Sequence, residues 1–241
     1  MIKCFNKYLS GVRRILRCIY LLFSCLFPCI SCICGEMDDQ ISSVRQIRTY
    51  SADGEYISSR TYEYSETEPD RKVKCILWTK NTAGSGTTYK NFLYDEKGIR
   101  TGSEDYDENG KLLGYWQYEY SHDQKSITEY SYTCDGSLDM KCELGLDDYG
   151  NTISETWYFP NDLQCSKTDY EIVYDDSGCI DHMSVNVSDS SSESKKVSEN
   201  AGEAEPVRTD IQFFYDGENR LIRKETKANG TLLSWEEYIY H

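Results

Sequence analysis

Tyr94-Asp95-Glu96-Lys97-Gly98-Ile99 is followed at once by Tyr106-Asp107-Glu108-Asn109-Gly110-Lys111-Leu112, the same phrase repeated. It holds a bulky residue, an Asp-rich polar stretch, a Gly or Asn, and then an aliphatic. Looser copies stand at Tyr132-Thr133-Cys134-Asp135-Gly136-Ser137-Leu138 and at Leu146-Asp147-Asp148-Tyr149-Gly150-Asn151-Thr152-Ile153. Two more run from Tyr174 to Ile180 and from Tyr215 to Leu221. Asp bonds to its own backbone and Gly accepts positive φ, so the phrase marks a chain reversal. Its recurrence marks a repeat protein.

Turn openings fall at 94, 106, 120, 132, 146, 159 and 174, so alternate ones lie 26, 26 and 28 residues apart. Each single step accommodates one short strand and one turn, and i, i+3, i+4 spacing is absent. Period two governs between the turns. Trp116, Tyr118 and Tyr120 share a face against Gln117 and Glu119; Ile153, Trp157 and Phe159 are read together against Ser154 and Thr156. Tyr170, Ile172 and Tyr174 form another such set, as do Ile211, Phe213 and Tyr215. Upstream, Tyr50 to Gly54 reads as the first turn, Ile57 to Tyr64 and Val73 to Trp78 as strands, and Asn81 to Thr87 as a turn. The pattern predicts an all-β fold: a repetitive antiparallel meander of about 12–14 short strands, either an open curved sheet or barrel-like, with one buried side.

The first 35 residues carry Lys3, Lys7, Arg13, Arg14 and Arg17 and no acid, followed by an apolar run from Cys18 to Cys34. That is the form of a signal peptide; a retained span is the alternative for a run this short. Leu22-Phe23-Ser24-Cys25 and Cys29-Ile30-Ser31-Cys32 each set a small residue before a Cys. They resemble the bacterial lipobox, which implies Cys25 or Cys32 as lipid anchor. Gly35-Glu36-Met37-Asp38-Asp39 also resembles the surface-export tether of Bacteroidetes lipoproteins. The expected organisation is a signal at 1–35, a tether at 36–45 and a repeat domain at 46–241. Within that domain the Ser-rich stretch 188–206 is expected to be a mobile loop. The address is the bacterial envelope, lipid-anchored at the outer membrane or cell surface, with secretion as the alternative.

Beyond residue 35 the chain holds 21 Lys plus Arg against 41 Asp plus Glu. So acidic a surface repels nucleic acid and anionic headgroups, which leaves the lipid anchor as the membrane contact. Cys75, Cys134, Cys142, Cys165 and Cys179 allow up to two disulfides in an oxidising compartment and contain no C-x-x-C. No metal site and no cofactor are expected. The acidic turns at Asp95, Asp107, Asp147 and Asp175 offer hard oxygens, but turn chemistry already accounts for them.

The Tyr-Asp phrase resembles the YD repeats of Rhs-type and wall-associated bacterial proteins. "YEYS" at Tyr118 to Ser121 and "LDDYGN" at Leu146 to Asn151 are similar to hairpin repeats of secreted lipoproteins of unknown function. The resemblance implies β-rich scaffolding and brings no catalytic residue with it. No G-x-S-x-G, H-E-x-x-H or phosphate-cradling loop is present, and the chain is not expected to be an enzyme. The expected role is a non-catalytic structural or binding module whose partner is the envelope, another surface protein or a glycan. A carbohydrate-binding accessory role is the alternative, with an aromatic sheet face built from Tyr115, Trp116, Tyr118, Trp157, Tyr158, Trp235 and Tyr238. A small secreted hydrolase is a third.

Overall fold

The computed structural model describes residues 43–81, 84–189 and 208–240. The signal region with Cys25 and Cys32, residues 36–42 of the tether and 190–206 of the Ser-rich stretch lie outside the described residues. The strands are β1 (Val44–Ser51), β2 (Tyr56–Tyr64), β3 (Lys72–Asn81), β4 (Gly84–Tyr94), β5 (Arg100–Asp107), β6 (Leu112–Tyr120) and β7 (Ser126–Thr133). Next come β8 (Leu138–Leu146), β9 (Thr152–Tyr158), β10 (Gln164–Tyr174), β11 (Ile180–Asp189), β12 (Thr209–Tyr215), β13 (Leu221–Ala228) and β14 (Thr231–Tyr240). Each strand pairs antiparallel with the next in sequence, and β1 pairs with β14, so the fourteen-strand meander closes into a barrel. The expectation of an open sheet or a barrel resolves to the barrel.

One turn geometry does most of the reversing. The Asp95 amide bonds to the Ile99 carbonyl at 2.9 Å and the Gly98 amide to the Asp95 carbonyl at 3.0 Å. The Asp95 carboxylate accepts from the amides of Lys97 and Ile99 at 2.9 and 2.8 Å. Gly98 sits at φ 80°, the left-handed region that glycine enters without steric cost. The same bonds recur at Asp107, Asp147, Asp175 and Asp216, where Asn219 at φ 59° stands in for the glycine.

Just past most turns the second strand carries a β-bulge. Tyr94 pairs with Arg100 and Leu93 with Gly102, which skips Thr101; Leu113, Ile153 and Ile222 are skipped in the same way. The bulge corrects one expectation: Ile153 does not share a face with Trp157, because it falls on the skipped position and turns outward, 39% exposed. A second correction concerns 81–87, read as a turn. Gly84 to Thr87 belong to β4, paired with β3 down to Asn81↔Gly84, because their backbone continues the ladder that Thr88 to Asn91 make with β3. The first strand also starts at Val44, two residues before the expected domain boundary.

The core lies on the inward face. Ile47, Met183 and Ile211 are fully buried, and Tyr62, Phe92, Leu144, Tyr170 and Phe213 line the same wall. Each such side chain removed from water contributes about 1.5–3 kcal/mol. The outward face is polar and carries ion pairs both across strands, Arg48–Glu237 and Lys74–Glu63, and along them, Lys141–Glu143 and Lys167–Asp169. A Lys or Arg on a lipid-facing wall would cost about 2–4 kcal/mol at the bilayer midplane. The wall suits water.

The two rims differ. At the rim where even strands end, the odd strands begin with buried Val44, Lys72, Thr152, Ile180 and Leu221. Four of the tyrosines that close even strands turn inward over this rim, while Tyr120 stays exposed. Tyr64 donates to the Val44 carbonyl at 2.6 Å, Tyr94 to Lys72 at 2.6 Å, Tyr215 to Ile180 at 3.0 Å and Tyr240 to Leu221 at 2.7 Å. At the opposite rim the tyrosines of the phrase turn outward: Tyr50 stacks on Trp235, Tyr132 on Tyr115, and Tyr106 bonds to Glu104. Inward-facing Val187, paired with buried Thr168, is 65% exposed there, and Leu77 is 37% exposed. One rim is sealed and the other is open.

Candidate functional site

The seven aromatics expected to share a face are divided between two. Tyr115, Tyr158 and Trp235 point outward, while Trp116, Tyr118, Trp157 and Tyr238 point into the barrel. Strand parity separates them, since Tyr115 precedes Trp116 and Tyr158 follows Trp157.

The outward rings are arranged as piles. Tyr50 lies 4.0 Å from Trp235 at 12°, and Tyr56 lies 4.9 Å from Trp78 at 9°. Arg223 covers the Trp235 ring at 4.3 Å. A sugar ring needs an open aromatic face, and these faces are turned toward one another. The row works as cross-strand packing.

Two of the inward aromatics meet inside the barrel, above the inner face of β7 and β8. Trp116 on β6 and Trp157 on β9 stand edge to face, with centroids 6.2 Å apart at 81°, although β7 and β8 separate their strands along the wall. Each indole N–H is tied to a carboxylate. Trp116 Nε1 donates to Asp105 at 3.1 Å, and Trp157 Nε1 donates to Glu155. Glu155 also accepts from Tyr170 at 2.9 Å and is only 3% exposed. Lys90 lies 3.6 Å from Asp105 and 5.6 Å from the Trp116 ring. The Lys90 and Asp105 side chains keep 34% and 30% of their surface accessible although both face inward. Solvent therefore reaches this level of the lumen.

Below, toward the sealed rim, the packing is tighter. Tyr118 contacts Arg100 and Ser103, at 3.1 and 3.3 Å from its hydroxyl, and burial drives its pKa upward. On the other wall Glu236 receives Arg60 at 2.8 Å, Tyr238 at 3.1 Å and an ion pair from Lys224. Burial alone would raise the Glu236 pKa. The fields of Lys224 and Arg60 outweigh it and hold the carboxyl at about 2. Tyr238 is thus part of a buried charge network and is only 4% exposed.

Sequence reasoning did not single out Asp105, Glu155, Lys90 or Glu129. Strand parity carried a signal for them. Glu129 alternates with Ile127 and Ser131 and pairs with Tyr118 and the fully buried Cys142, so it faces inward. A charged residue in the inward phase of a strand was that signal. All five barrel cysteines carry thiols. Among the described residues no three His, Cys, Asp or Glu side chains converge as a metal site requires.

No protein-family model and no curated protein matches the chain. Among solved structures it is similar to a porin-like protein from Bacteroides uniformis, with TM-score 0.47 and 11% identity over 83% of this chain and 98% of that one. It is also similar to a porin-like protein from Bacteroides vulgatus, with TM-score 0.46 and 14% identity over 83% and 99% of the two chains.

Proposed function

We propose that the protein is a non-catalytic binding module of the bacterial cell envelope that takes a glycan at the open end of its barrel. The observation that carries this reading is the Trp116–Trp157 pair, set edge to face inside a lumen that solvent enters. Concave sites combine apolar and aromatic walls with a few fixed polar groups, and Asp105, Lys90 and Glu155 supply those groups here. Both indoles are held by carboxylates, so little ordering remains to be done when a ligand arrives. The basic, apolar, cysteine-bearing first 35 residues support attachment through a lipid on Cys25 or Cys32.

A glycan array probed with the full-length protein in mild detergent tests the reading. Binding that Trp157→Ala abolishes, in a barrel that still unfolds cooperatively, supports it. No binding to any polysaccharide defeats it. Radiolabelled palmitate incorporation, lost in Cys25→Ala or in Cys32→Ala, identifies the anchor; labelling unchanged in both refutes lipidation there.

A further inference from the structure

We infer that the ligand carries a protonated amine, which Glu129 receives beside the tryptophan pair. This rests on the lumen being the binding seat. The inward charged groups from β4 to β9 are Lys90, Arg100, Asp105, Glu129 and Glu155. Four of them are engaged within the wall. Lys90 and Asp105 pair with each other, Arg100 bonds to the Tyr118 hydroxyl, and Glu155 accepts from Trp157 and Tyr170.

Glu129 differs. Among the described residues it accepts no hydrogen bond and joins no ion pair, and its neighbours across the ladder are Tyr118 and the thiol-bearing Cys142. It sits on β7, on the stretch of wall that runs between Trp116 on β6 and Trp157 on β9. An inward carboxylate with no donor of its own, in one row with Cys142 and Trp157 and two residues along β7 from the Ser131 that faces Trp116, suits a cation. The carboxylate supplies the charge-assisted bond and the ring faces supply the quadrupole. An amino sugar fits the pair of demands, offering a ring to stack and an ammonium group to bond.

Calorimetry on the full-length protein with the trisaccharide of glucosamine and with its fully N-acetylated counterpart tests the inference. The two probes share a ring and a linkage and differ in charge. The charged trisaccharide should bind at least tenfold more tightly. Glu129→Gln, which keeps shape and removes charge, should erase that preference without shifting the thermal melt. Equal binding of the two probes, or a preference that survives Glu129→Gln, overturns the ammonium assignment and leaves the lumen as a glycan seat. Failure of the charged probe to bind while neutral glycans bind on the array overturns it as well. Failure of every glycan overturns both readings.

Discussion

The Tyr64 hydroxyl donates a 2.6 Å hydrogen bond to the carbonyl of Val44, joining the end of β2 to the start of β1. The bond crosses the foot of the strand pair at the sealed rim, where Val44 is fully buried. Tyr64→Phe removes one hydrogen bond and leaves a carbonyl near the core without that donor. The expected loss is about 1–2 kcal/mol in urea unfolding. Tyr106→Phe at the open rim removes a bond to outward Glu104 and should change stability by under about 0.5 kcal/mol. Equal effects at both rims would contradict the assignment of one as sealed.

Glu236 should control acid stability. Its carboxyl sits at about 2 in the barrel against an ordinary value of 4.5. A depressed carboxyl contributes stability that is complete above about 4.5 and is lost as the pH falls toward 2. The urea midpoint of the native chain should therefore drop across that window. Glu236→Gln strands Lys224 and Arg60 without their anion and should cost about 3–5 kcal/mol at neutral pH. Its midpoint should then vary less between pH 4.5 and 2 than that of the native chain. A parallel pH profile in both would remove Glu236 from the account.

Two glycines should respond differently to the same methyl. Gly110 sits at φ 79° with nothing within 4 Å of the place a Cβ would take, so Gly110→Ala meets only backbone strain, about 1–2 kcal/mol. Gly110→Asn should cost less, because Asn219 holds the equivalent place at φ 59°. At Gly102, on the β5 bulge, a Cβ would stand 2.3 Å from the Trp116 carbonyl oxygen. Gly102→Ala must push a backbone aside, at about 2–3 kcal/mol, and Gly102→Asn gives no relief there. Thermal melts of the four variants distinguish strain from collision.

The turns, the strands and the buried parity were legible because each follows from local chemistry. Asp95 and Gly98 fix a reversal by bonds that span only a few residues. The double period of 26 residues was legible as a number, but its cause was not. Tyr106 and Tyr94 occupy the same phrase, yet one faces water and the other faces the lumen. Alternate turns lie at opposite rims, and the register carried through the intervening strand decides which way each tyrosine faces. The aromatic face was misjudged for a related reason. Neighbours in sequence such as Tyr115 and Trp116 are on opposite sides of a strand, and Trp116 finds Trp157 only after closure. Closure itself depends on β1 meeting β14, a pairing no local pattern encodes.

That seam has a kinetic consequence. Every other pairing joins consecutive strands, whereas Tyr50 must find Trp235 across almost the whole domain. Until it does, the sheet is open and exposes two bare edges, of the kind that recruit other chains. Closure is therefore expected to be the slow, concentration-sensitive step. A permutant that links Tyr240 to Val44 through a short Gly-Ser segment and opens the chain at Gly217 turns the seam into a hairpin. It moves the long-range search to β12 and β13, strands that otherwise meet through one short turn phrase. Refolding of the two forms at rising protein concentration would show whether the burden of aggregation follows the seam to its new place.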